Sequence, residues 1–178
     1  MKRFVVLVLV LGLGVMTAGC DEDLAPAGPT AGTVTFVSQM TAGQNIPPAH
    51  VLESAAAGQI QMTLSPSGAA YTASVTIRVQ GLVRSGILPA PLDSGSVLVA
   101  GLIHQGGAGQ LGPIVASLGL SQAAPLVTPT GGVFITLTGI QVQKAVGDGM
   151  IANPAGFYIA FYSALSQTGV MRGQLARQ

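Results

Sequence analysis

The stretch HQGGAGQLGP, His104 to Pro113, sets a histidine beside a literal G-x-G-x-x-G with glycines at Gly107, Gly109 and Gly112. It could be a nucleotide cradle, a metal corner or a turn. A dinucleotide loop needs a helix after its third glycine, because the helix N-terminus holds the pyrophosphate, and an acid about 20 residues on for the ribose. Here Gly112 is followed by Pro113 and IVASLGL, which reads as a strand. Gly131 and Gly132 stand near where the acid is needed, and the next carboxylate is Asp148. The stretch is therefore expected to be a glycine-rich connection between strands.

Metal chemistry fares little better. Zinc, copper or iron sites take three or four ligands from His, Cys, Asp and Glu. After the leader the chain offers His50, His104, Glu53 and a few scattered aspartates. His50 and Glu53 are three apart, but PPAHVLES follows two prolines and reads as a loop. For nucleophilic catalysis there is no G-x-S-x-G, and an activated serine needs a histidine oriented by a carboxylate. No catalytic set is assembled in the sequence, so the expectation is a protein that is not an enzyme and holds no cofactor and no metal.

The elements that must position these residues follow from composition and periodicity. A chain of 178 residues fits one domain. Charged residues make up 7%, against about 25% in ordinary globular chains. Beyond the first twenty residues the bases are only Arg78, Arg84, Lys144, Arg172 and Arg177, scattered singly. A phosphate-tracking surface needs clustered bases, so a nucleic-acid partner is excluded.

The first residues, MKRFVVLVLVLGLGVMTAGC, combine Lys2 and Arg3 with an apolar run and small residues before Cys20. That is the pattern of a removed signal peptide over residues 1–19. TAGC resembles the lipobox of bacterial lipoproteins, with Thr17 where an aliphatic residue is usual. The resemblance implies acylation of Cys20 and an anchor in a membrane of the bacterial cell envelope, facing the periplasm or the exterior. Residues 20–32, rich in Pro, Gly and charge, read as a flexible tether.

From residue 33 to 178 the dominant signal is a period of two. In YTASVTIRVQ, Tyr71, Ala73, Val75, Ile77 and Val79 alternate with polar residues, as in a half-buried antiparallel strand. TVTFVSQM, GQIQMTLS, SVLVAGLIH, PIVASLGL, GVFITLTG, FYIAFYSA and GVMRGQLA give weaker versions, about eight strands in all. SPSGAA, Ser65 to Ala70, is expected to close a hairpin. TGIQVQKAVGDGMIANP breaks the pattern, and Ile140, Val142, Val146 and Met150 or Ile151 suit a short helix. The expected fold is all-β, an antiparallel β-sandwich with one short helix.

QNIPPAH, AAAGQIQMTL, YTASVTIRVQGL, LIHQGGAGQLGPIVASL and NPAGFYIAFYSALSQTGVMRGQL, in that order, resemble the CHRD domain, named for chordin and also found in bacterial secreted proteins. The resemblance runs from Thr33 to Leu175 and rests on Pro47, Pro48, Gly81, Leu82, His104, Gly106, Gly109, Gly112, Pro113, Tyr158 and Arg172 to Leu175. It implies a Greek-key sandwich of a shape compared with copper/zinc superoxide dismutase. Two departures bear on metal chemistry: Leu102 stands where the family commonly has a first histidine, and Phe161 and Tyr162 stand where it has Val-His.

His104 and Arg172 are thus the candidate binding or structural residues. His104 is expected at a strand end, hydrogen-bonded to the glycine turn. Arg172 could face a ligand, or turn inward to carbonyls or to a carboxylate, with Glu53 and Asp93 as the acids within reach of such a role. The expected function is a non-catalytic envelope lipoprotein, a binding or structural module with an envelope protein partner of unread identity. The alternative is a metal-binding or redox protein using His104 and His50. Oligomeric state is not legible.

Overall fold

The computed structural model describes residues 32–83, 97–120 and 131–178. Cys20, residues 1–31 and Asp93 lie outside them. The described chain is antiparallel β throughout, in strands β1 (Val34–Thr41), β2 (Ala57–Ser67), β3 (Ala70–Gln80), β4 (Leu98–Gln105), β5 (Ile114–Ser117), β6 (Val133–Gln143), β7 (Phe157–Ser163), β8 (Met171–Gln174) and β9 (Ala176–Arg177). One helix, α1 (Lys144–Ala152), follows β6.

The strands run in the order β5-β4-β7-β8-β1-β2-β3-β6. Neighbours β4–β7, β8–β1 and β3–β6 are far apart in sequence, as in Greek-key sandwiches. Two halves, β1-β2-β3-β6 and β5-β4-β7-β8, meet through the C-terminal strands. β8 pairs with β1 at Thr41↔Arg172, and β9 continues the same register at Val37↔Ala176 and Phe36↔Arg177. At the far edges β5 approaches β6, so the sheet nearly closes on itself.

Period-two alternation does what it should. Phe36, Met62, Val75 and Leu137 are successive cross-strand partners over four strands, and all four belong to the core or pack against it. Phe36, Ile60, Met62, Leu64 and Ile77 are fully buried, each stabilising the fold by about 1.5–3 kcal/mol relative to exposure. The Ser65 to Ala70 turn closes the β2–β3 hairpin, with Ser67↔Ala70 the last pair.

One expectation needs correction. The short helix begins only at Lys144, and Ile140 and Val142 lie in β6, paired with Ala73 and Tyr71. The cause is a bulge: between the pairs Ala73↔Ile140 and Val75↔Leu137, β6 carries one extra residue, with Gly139 at φ 72. A bulge shifts the phase of alternation by one. Val133, Ile135 and Leu137 before it and Ile140 and Val142 after it therefore all turn inward, a spacing that mimics a helix in sequence. The eight expected strands form the ordered sheet, and the two-residue β9 pairs with β1 beside them.

Candidate functional site

The site is built on β4, β7 and β8. In β7, Phe157, Ile159 and Phe161 enter the core cluster. Tyr158, Ala160 and Tyr162, at alternating positions, share the opposite face. Cross-strand pairing sets His104 opposite Tyr158 and Arg172 opposite Ala160, one step diagonal from Tyr158. A sheet face turned from the core would ordinarily be wet, yet Tyr158 is 2%, His104 6% and Arg172 2% exposed. What shields these side chains is the glycine-rich connection between β4 and β5, which folds back over them.

Three side chains form a stack. The His104 and Tyr158 rings lie 4.7 Å apart and 5° from parallel. On the Tyr158 ring sits the Arg172 guanidinium, its Cζ 3.5 Å from the centroid. A cation over an aromatic face is stabilised by the ring quadrupole, more so away from water. Polar edges of the stack then hold the loop. Arg172 Nη2 donates to Gly107 O at 2.8 Å, Gln174 Nε2 donates to Gly106 O at 2.6 Å, and Gly112 N donates to the Tyr158 hydroxyl at 3.2 Å. Gly112 is required by space: a Cβ there would overlap the Gln105 carbonyl oxygen and stand 2.6 Å from its carbon.

His104 has both ring nitrogens engaged. Nδ1 lies 2.9 Å from the Gly112 carbonyl oxygen and Nε2 lies 3.0 Å from the Tyr162 hydroxyl. A carbonyl only accepts, so the neutral ring carries its proton on Nδ1, and Nε2 accepts from Tyr162. The Nε2 lone pair, the one a metal would use, is thus occupied by the Tyr162 hydroxyl. Burial first, then the neighbouring Tyr158, pushes the Tyr162 phenol above its ordinary range, against the opposing pull of Arg172. Tyr162 therefore stays a protonated donor at neutral pH.

The other sequence candidates lie elsewhere. His50 is exposed, and its Nδ1 accepts from Leu52 N at 3.3 Å, capping the 3-10 turn Val51–Glu53. That turn replaces the plain loop expected after the two prolines. Glu53 is fully buried and accepts from the Ser163 hydroxyl at 2.8 Å. It does not pair with Arg172: among the described residues the one ion pair is Lys144–Asp148, at 2.7 Å. Among the described residues no three of His, Cys, Asp or Glu come together, so His104 and His50 are not assembled into a metal centre. Arg172 turns inward to a carbonyl, one of the two arrangements its position allowed.

Sequence reasoning flagged His104 and Arg172 but missed the work of Tyr162 and Gln174. A signal was present. In FYIAFYSA, Tyr158 and Tyr162 are four apart, which in a strand puts both hydroxyls on one face.

Facing Arg172 is a cavity of about 270 Å³ lined by Gly43, Gln44, Ile46, Ala108, Gly109, Arg172 and Gln174. A larger groove of about 370 Å³ and a smaller one of about 180 Å³ share Gln59 and Arg78. Arg78 lies 4.3 Å from the centre of the exposed Phe134 ring.

No curated protein and no solved structure matches the chain. The family model described as the CHRD domain matches residues 36–175. That span contains every strand from β2 to β8, the glycine connection and the whole His104–Tyr158–Arg172 stack, and the chain belongs to the CHRD domain family.

Proposed function

We propose that this chain is a non-catalytic CHRD module of the bacterial cell envelope, held to a membrane by lipid on Cys20 and acting in binding or as a structural element. The observation that carries the non-catalytic part is His104: the residue best placed for chemistry has one nitrogen on Gly112 O and the other on the Tyr162 hydroxyl. Metal ligation or proton transfer at this ring would first have to break one of those contacts. Arg172 and Gln174 are likewise engaged in holding the glycine connection. The lipid part rests on TAGC following a short apolar leader, since several acyl chains at one terminus give stable anchoring where a single chain is marginal.

The lipid is tested by Cys20→Ser in the full chain. Wild type is expected in the membrane fraction, extracted by detergent but not by high salt, and the variant in the soluble fraction. Equal membrane partitioning of both removes the anchor from the account.

A further inference from the structure

Arg172 is a buried cation without a counter-ion among the described residues. The chain has six acids. The two that fall in the described residues are Glu53, bonded to Ser163, and Asp148, paired with Lys144. Arg172 spends Nη2 on Gly107 O and its face on Tyr158, but Nη1 is shielded from water and has no hydrogen-bond partner among the described residues. Burying a guanidinium with an unmade bond is costly, and a charge-assisted bond to an anion offsets the cost.

The same side chain lines the 270 Å³ cavity, whose other walls are Gln44, Gln174, Ile46, Gly43, Ala108 and Gly109. At Gly109 an added Cβ would meet nothing within 4 Å, and at Gly43 only the Thr41 hydroxyl at 4.0 Å, so those walls leave open space. Among the described residues the lining holds one cation, two side-chain amides and no acid. One guanidinium balances one negative charge; a phosphate dianion would be left half-compensated.

We propose that this cavity binds a single carboxylate group, paired with the charge of the Arg172 guanidinium that lines it. The proposal deepens the reading of the chain as a binding module and gives that module a ligand class. The carboxylate could belong to a small free acid or to the C-terminus of a peptide, and the cavity, near the lower end of the roughly 300–1,000 Å³ of ordinary ligand clefts, suits a small group.

The test is calorimetric titration of the full chain in detergent with N-acetyl-alanine, with acetyl-tetra-alanine bearing a free C-terminus, with the amides of both, and with inorganic phosphate. One site per chain is expected for at least one free acid, with its amide at least tenfold weaker. Tighter binding of the short acid assigns a free metabolite-like ligand, and tighter binding of the peptide assigns a chain terminus. Arg172→Lys should weaken the acid at least tenfold, because an ammonium cannot reproduce the fork. Since Arg172 also holds the loop, Ala108→Leu supplies a second test: it fills the cavity from an exposed position, and should abolish binding while the melting temperature is retained. Absent binding of both acids, equal binding of acid and amide, tighter binding of phosphate, or wild-type affinity in Ala108→Leu overturns the proposal. Membrane partitioning through Cys20 is read separately, so the ligand assignment can fail while the anchored module stands.

Discussion

Gly112→Ala is the sharpest perturbation of the glycine connection. Gly112 is not at a positive φ; its constraint is contact, because a Cβ there would occupy the Gln105 carbonyl oxygen. Backbone cannot swing aside as a side-chain end can, so the β4–β5 connection must open. Three hydrogen bonds depend on its closure: Gln105 N to Pro113 O at 3.0 Å, His104 Nδ1 to Gly112 O at 2.9 Å, and Gly112 N to the Tyr158 hydroxyl at 3.2 Å. At about 0.5–1.5 kcal/mol each, their loss costs roughly 2–4 kcal/mol. Urea unfolding followed by tyrosine fluorescence should show a midpoint lower by about 1–2 M at an unchanged slope. Gly109→Ala is the control, since Gly109 has φ 73 and open space around it, so it carries only the left-handed strain of about 1–2 kcal/mol. If Gly112→Ala shifts the midpoint no further than Gly109→Ala, the connection is not clamped to the sheet as described.

Two other perturbations follow from buried and exposed carboxylates. Glu53 is buried, with Oε2 held by Ser163 and Oε1 without a hydrogen-bond partner among the described residues, so Glu53→Gln keeps an acceptor for Ser163 and removes a carboxylate with no described counter-ion. Its thermal midpoint should equal or exceed wild type, and a marked drop would show that the charge itself is needed. The Lys144 ammonium first, and then the Tyr71 hydroxyl, hold the Asp148 carboxyl below its ordinary 3.8. A depressed carboxylate contributes stability above its unfolded value and loses it as pH falls through the folded one. The difference in urea midpoint between wild type and Asp148→Asn should therefore be constant from about pH 5 to 7 and narrow below about pH 4; widening on acidification contradicts the pairing.

The strands were legible because their inward residues alternate without interruption, as in β3. Legibility failed where the backbone breaks the period. At Gly139 the bulge moves Ile140 and Val142 onto the inward phase, and the resulting spacing reads as a helix face. β9 was missed because Leu175 interrupts a strand of which only Ala176 and Arg177 remain. At the site, His104 and Arg172 stood out as rare residue types in a weakly charged chain. Their relation did not, because it depends on β7 lying between β4 and β8, three strands brought together from distant parts of the sequence. Only that order sets Tyr158 between them, and only the folded-back connection turns an outer sheet face into a buried one.

His104, with Nδ1 on the Gly112 carbonyl and Nε2 on the Tyr162 hydroxyl, is engaged in holding structure, and on the proposed function it takes no metal. The direct measurement is metal content of the purified full chain after incubation with zinc or copper and gel filtration, compared with His104→Ala. Wild type should retain no stoichiometric metal that the substitution removes. About one equivalent per chain in wild type, lost in His104→Ala, would contradict the claim and favour the metal-binding alternative.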